Sequence, residues 1–260
     1  MKILCVGDIG GDPGRRACRE TVPGLRAAGE VHAVVANAEN AAGGRGCTSA
    51  IAEELSAAGA DAITLGDHTW DQKETPAWVA ADKRVARPAN YPAACPGRGW
   101  ALVQTTVGRF AVVGAVGRVF MNPADDPFRA VDDLLAGPIP RDVPVILDFH
   151  AEATSEKIAM GWHLDGRVAA VFGTHTHVQT ADCRVLPKGT GYVTDVGMTG
   201  PTESVIGREI AAVERKFLTG MPQKFEIAKG PAALCGAVFD VDTSTGLCRS
   251  ARAVRFECGG

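Results

Sequence analysis

The sequence predicts an α/β protein in which a largely parallel sheet lies under helices, with enough antiparallel strand to form a second sheet packed face to face on it. Three observations carry this. Short apolar runs alternate with helix-patterned stretches, as in parallel sheets whose crossovers are helical. A glycine at 108 separates two strand-like runs, 100–107 and 109–116, as in a hairpin. The C-terminal part reads as an antiparallel meander over 224–228, 233–241 and 247–256, with a turn at 242–246.

In chain order, the apolar runs 2–7, 31–36, 62–65, 143–149 and 168–172 are the predicted parallel strands. The stretches 15–28, 49–58, 76–81, 128–135, 155–164 and 208–218 are the predicted helices. Thr75-Pro76 fits an N-cap followed by proline at the first helical position. The loop 87–99 is rich in Pro and Gly, yet at thirteen residues it does not mark a domain boundary. One domain over 1–260 is therefore expected.

Composition excludes several classes. The 260 residues are 46% hydrophobic and only 6% aromatic, so the core is expected to be built from Ala, Val, Leu and Ile. A net charge of -3 offers no basic surface for non-specific nucleic-acid binding. No apolar run approaches the roughly 18 residues of a membrane span, and the five apolar residues before Asp8 are too few for a signal-peptide core. Eight cysteines without a C-x-x-C pair support neither a zinc ribbon nor a disulfide scaffold. A cytoplasmic, self-associating protein with a small-molecule substrate is expected. It should have no membrane partner and no stable nucleic-acid partner.

The informative positions lie just past the end of each apolar run. Asp8 comes after KILCVG, Glu39 and Asn40 after VHAVVANA, and Asp67 and His68 after DAITLG. His150 comes after VPVILDF, and His175 and His177 after VAAVFGT. In parallel α/β sheets, sites lie at the carboxyl ends of strands. Imidazole with carboxylate and no thiolate suits iron, manganese or zinc better than calcium or magnesium. The set exceeds one tetrahedral site and fits two ions sharing a carboxylate, about 3.5–4 Å apart, which can clamp a phosphoryl group. His175 and His177 would share one face of an extended segment and bind neighbouring ions. Asp67 and His68 would point apart, which frees His68 as a general acid.

Each residue also has a plainer reading. Asp8 can be a turn or cap residue, and a lone strand-end histidine such as His150 is more often a structural hydrogen bonder. His32 and His163 stand outside the pattern and exemplify that case. Glu152 and Asp195 are weaker candidates for orienting ligand histidines, with capping and turn formation as their alternative. The stretch 7–14 matches neither G-x-G-x-x-G nor the P-loop pattern, which argues against a nucleotide-phosphate loop.

The motifs GDIGGDPGR, NAENAAGG, TLGDHTWD, RPANYP, GRVFM, DFHAEATSEK, GTHTHVQTAD and TDVGMTGP together resemble the YmdB-like bacterial metallophosphoesterases of the calcineurin-like superfamily. The resemblance runs from about residue 1 to 230. It implies a four-layer α/β/β/α sandwich, a dinuclear centre that is typically iron, and phosphodiesterase activity on 2′,3′- and 3′,5′-cyclic nucleotides. Carried onto this chain, it implies one ion held by Asp8, Glu39, Asn40 and His177. The other would be held by Glu39, Asp67, His150 and His175, with His68 as proton donor to a reaction begun by a metal-bridging hydroxide. The family usually reads G-N-H where this chain has Gly66-Asp67-His68. An ionised Asp adds charge and cannot donate a hydrogen bond to phosphate, as Asn can. A phosphomonoesterase and a metal- or nucleotide-binding regulator are the alternative functions. An amidohydrolase-type enzyme is disfavoured because its H-x-H comes early in the chain rather than late.

Overall fold

A computed structural model describes residues 1–259. The first sheet contains β1 (Lys2–Val6), β2 (Ala33–Asn37), β3 (Ala62–Thr64), β4 (Val85–Ala86), β11 (Gly200–Pro201), β12 (Ala232–Val241) and β13 (Cys248–Cys258). Its order is β11-β12-β1-β2-β3-β4, with β13 also paired to β12. The second sheet contains β5 (Trp100–Thr105), β6 (Gly108–Val116), β7 (Val145–His150), β8 (Ala170–Thr174), β9 (Arg184–Val185) and β10 (Gly191–Val193). Its order is β5-β6-β7-β8-β10-β9. Strands β1 to β4 run parallel, as do β6, β7, β8 and β10.

The helices are α1 (Gly11–Ala27), α2 (Ser49–Ala57), α3 (Thr75–Ala81), α4 (Pro127–Ala136), α5 (Thr154–Leu164) and α6 (Ile210–Thr219). Side chains alternate across a strand, and here the alternation sorts them into three cores. Leu4 and Val6 of β1 join Ala17, Val22 and Leu55 of α1 and α2 on the outer face of the first sheet. Ile3 and Cys5 meet Phe110, Ile146 and Phe172 between the two sheets. Leu147 and Phe149 of β7 meet Val131 of α4 and Met160 of α5 outside the second sheet. The result is the expected four-layer α/β/β/α sandwich.

Four local expectations are corrected. The run 224–228 forms no strand; only Ile227 bridges Arg208. Both edges of β12 are already taken, by β1 and β11 along one side and by β13 along the other, so no ladder remains for that run. Helix α1 begins at Gly11 rather than at 15, because Pro13 falls in the first turn, where a missing N–H costs nothing. Thr75 does not cap α3: its hydroxyl donates to the Cys47 carbonyl at 3.2 Å, and Glu74 holds the cap position. The strands β2, β7 and β8 also end later than predicted, so Asn37, His150 and Thr174 are their last residues rather than loop residues. Among the described residues, no helix is long and apolar enough to cross a membrane.

Candidate metal centre

The parallel strands β1, β2 and β3 of one sheet and β7 and β8 of the other bring their carboxyl ends together. Glu39, Asp67, His150 and His175 each place one ligand atom within 4.8 Å of the others, a group that can hold a metal ion. The His150 Nε2 lies 3.0 Å from Glu39 Oε1 and 3.1 Å from Asp67 Oδ1. The His175 Nδ1 lies 3.0 Å from His150 Nε2 and 3.5 Å from Asp67 Oδ1. Beside this group stand Asp8, Asn40 and His177. Asp8 Oδ1 is 3.8 Å from His177 Nε2, and the Asn40 amide is 3.2 Å from that same nitrogen. Asn40 Nδ2 also donates to Glu39 Oε1 at 3.1 Å, so Glu39 touches both groups.

Each imidazole is aimed by its other nitrogen. His150 Nδ1 lies 2.8 Å from the Thr174 hydroxyl, which itself donates to buried Asp148 at 2.6 Å. A hydroxyl already donating can only accept from His150, so Nδ1 carries the proton and Nε2 faces the centre. His177 Nδ1 faces the Ile206 carbonyl at 3.1 Å, leaving Nε2 inward. His175 Nε2 lies 3.3 Å from Glu152 Oε2, leaving Nδ1 inward. Gly66 makes room: a Cβ there would fall 2.2 Å from Glu39 Oε2 and 2.5 Å from His150 Nε2.

The donor set fits a cation. Asp8 and Glu39 are buried, and Asp67 is largely so. Burial raises the Asp8 carboxyl above its ordinary value, although His177 and His150 pull it down. Burial opposes ionisation of Glu39 and Asp67 too, but His150, joined by His175 at Asp67, outweighs it and holds both below the usual carboxylate range. Burial would discharge His150, yet Glu39, Asp67 and Asp8 hold its pKa well above the usual 6.5. Three carboxylates around one imidazole demand positive charge, which a proton or a metal ion supplies. As a ligand, Asn40 would present its carbonyl oxygen after a half-turn of its amide.

All seven sequence-predicted ligand candidates therefore meet at one place. His68 stands just outside: its backbone N–H donates to Glu39 Oε2 at 3.2 Å, and its Nδ1 lies 3.1 Å from Asp71 Oδ2. His175 and His177 do not lie on an extended segment, as the spacing suggested. Both are left-handed, with φ of 91° and 66°, and they face the centre through that bent backbone. Glu152 reaches His175 as expected. Asp195 touches no ring and instead binds Thr176. His32 accepts from Lys2 N, and His163 pairs with Asp132, both away from the site.

Sequence reasoning missed Asp71, Asp148, Thr174, Asn37 and Thr64. Asp148 accepts from Asn37 Nδ2, Thr64 Oγ1 and Thr174 Oγ1. Its burial pushes its carboxyl up to about 6. The signal was present: period-two alternation puts polar Asn37, Thr64, Asp148 and Thr174 on the inter-sheet face of otherwise apolar strands.

The sequence profile described as "YmdB-like protein" matches residues 4–254. A Bacillus subtilis (strain 168) protein named 2′,3′-cyclic-nucleotide 2′-phosphodiesterase is 47% identical over 245 residues, covering 94% of this chain and 93% of its own. A crystal structure of a hypothetical protein from Thermus thermophilus superposes with a TM-score of 0.92 at 42% identity, covering 99% of each chain. A structure described as a novel phosphatase from Mycoplasma pneumoniae gives a TM-score of 0.92 at 36% identity, covering 99% of this chain and 93% of that one. Matched along nearly its whole length in sequence and in fold, the chain belongs to the YmdB-like protein family.

Proposed function

We propose that this chain is a dinuclear-metal phosphodiesterase acting on small cyclic nucleotides, 2′,3′- and 3′,5′- forms included. The observation that carries the reading is the convergence of five strand ends, which sets Glu39 in the group with Asp67, His150 and His175 on one side and against Asn40 on the other. The B. subtilis relative's name points to the same reaction class.

In this reading Asp8, Glu39, Asn40 and His177 hold one ion, and Glu39, Asp67, His150 and His175 hold the other. Iron is the expected metal, with manganese or zinc as alternatives. Two such ions would supply Lewis acidity at the phosphoryl oxygens and lower the pKa of water near them. The chain's own part is positional and acid–base. Thr174, Ile206 and Glu152 fix which nitrogen each histidine offers. The Asp71 carboxylate engages His68 Nδ1 and leaves Nε2 as the nitrogen that gives a proton to the departing ribose oxygen. Burial of Asp8 and Glu39 lowers the dielectric around them and strengthens their contacts.

The test is a substrate screen on protein stripped with chelator and reloaded anaerobically with Fe²⁺ or Mn²⁺. Turnover of 2′,3′-cyclic nucleotides that returns only on reloading is the expected result. Hydrolysis of phosphomonoesters with no cyclic nucleotide turned over would replace this reading with a phosphomonoesterase.

A further inference from the structure

Among the described residues, four that are not glycine have positive φ: Phe120, His175, Ile206 and His177. Two of them are the histidines of the H-x-H segment, and such backbone persists only where its surroundings over-determine it. The segment is tied at its ends, where His175 N–H donates to Asp8 Oδ2 at 3.0 Å and Met198 N–H donates to the His177 carbonyl at 3.1 Å, and through a buried network at its middle residue. The Thr176 hydroxyl donates to Asp195 Oδ2 at 2.6 Å, and its backbone N–H reaches the same oxygen at 3.2 Å. Lys157 Nζ donates to that oxygen at 2.8 Å and to the Thr176 hydroxyl at 3.2 Å. The other carboxylate oxygen of Asp195 accepts from Gly197 N at 2.7 Å.

Lys157 is 1% exposed and Asp195 fully buried. Lys157 comes from α5, and its stem passes over Gly173 of β8, where a Cβ would lie 3.0 Å from Lys157 Cδ and 1.8 Å from the Thr194 carbonyl. The missing side chain at 173 thus opens the path by which a helix lysine reaches the strand end. A buried ion pair is a poor device for stability alone, since apolar residues of the same volume often do as well or better. It is a good device for fixing one hydroxyl in place.

We propose that the buried Lys157–Asp195 pair is a positioning clamp: it pins Thr176 and thereby sets the left-handed backbone that aims His175 and His177. The aim toward ions rests on the metal reading above; the pinning of the segment does not. Lys157, Asp195 and Thr176 are positioning residues and make no contact with substrate.

The test uses the full chain as wild type and as Thr176→Val, Thr176→Ser and Lys157→Met. Two quantities are read: amide hydrogen exchange of residues 174–178 in metal-free protein, and Mn²⁺ affinity by calorimetry. Thr176→Val and Lys157→Met are expected to speed exchange in that segment about tenfold, as loss of a hydrogen bond to a charged group implies. They should weaken Mn²⁺ binding about 10- to 100-fold, the usual effect of removing groups that orient ligands. Thr176→Ser keeps the hydroxyl and should match wild type in both. Wild-type exchange and Mn²⁺ affinity in Thr176→Val overturns the clamp, as does a Thr176→Ser protein as impaired as Thr176→Val. Exchange that rises evenly over the whole chain in Thr176→Val also overturns it, because it marks a general loss of stability. A wild-type protein with the expected exchange pattern but no Mn²⁺ uptake refutes the metal reading and leaves the clamp standing.

Discussion

At position 67 an aspartate stands where the resembled family usually carries asparagine, and it sits 3.1 Å from His150 Nε2 and 3.5 Å from His175 Nδ1. The extra negative charge strengthens attraction to a cation and repels a phosphate. Asp67→Asn should therefore alter metal preference or KM while activity survives. Metal titration and steady-state kinetics on one sample check this, and loss of both metal and activity contradicts it. His68 is proposed to act on the leaving oxygen without holding an ion. His68→Ala should slow cyclic-nucleotide turnover by about 10²- to 10⁴-fold with metal content unchanged. Unaltered turnover would remove His68 from the mechanism. The residue types and their order after each apolar run made the ligand candidates legible in the sequence. Asp71 was not, because its role arises from a turn at 67–70, where the residue pattern suggested extended chain.

At the scale of elements, the site depends on two sheets presenting strand ends at one level, and its foundations are the cores on either side. Leu55 of α2 is 1% exposed and packs in the outer core of the first sheet, away from the ligands. Leu55→Ala should cost about 2–5 kcal/mol by urea unfolding, with activity per folded molecule unchanged. A fall in activity at full folding would mean that α2 communicates with the site. Most elements were legible because apolar periodicity reports burial directly. The run 224–228 was misread because strand pattern says nothing about whether a partner edge is free. The turn backbone at His175 and His177 was also invisible: non-glycine residues rarely adopt positive φ, and the contacts around it come from Asp8, Lys157, Asp195 and Met198, distant in sequence.

For the whole molecule, charge at the centre couples stability to pH. Burial disfavours the charged form of His150, but Glu39, Asp67 and Asp8 raise its pKa well above 6.5. The folded chain therefore keeps a proton that the unfolded chain releases. That stability is fully present below pH 6.5 and is lost as pH rises through the folded value. Asp148, raised to about 6 by burial, acts in the same direction between its ordinary 3.8 and about 6. Metal-free protein should melt at lower temperature as pH climbs from about 6 to about 9. A bound ion displaces the proton, so metal affinity should rise over the same range and metal-loaded protein should show the opposite trend. Calorimetry with and without chelator checks the two slopes, and equal slopes contradict a metal–proton exchange at this site.

The central claim is the proposed pair of ions, for which Glu39 would belong to both ligand sets, and metal content per chain tests it most directly. Protein purified anaerobically should carry two ions per chain by elemental analysis, and Glu39→Ala should fall below one, because the shared carboxylate serves both. No metal in the wild type, or a content that Glu39→Ala leaves unchanged, would contradict the account.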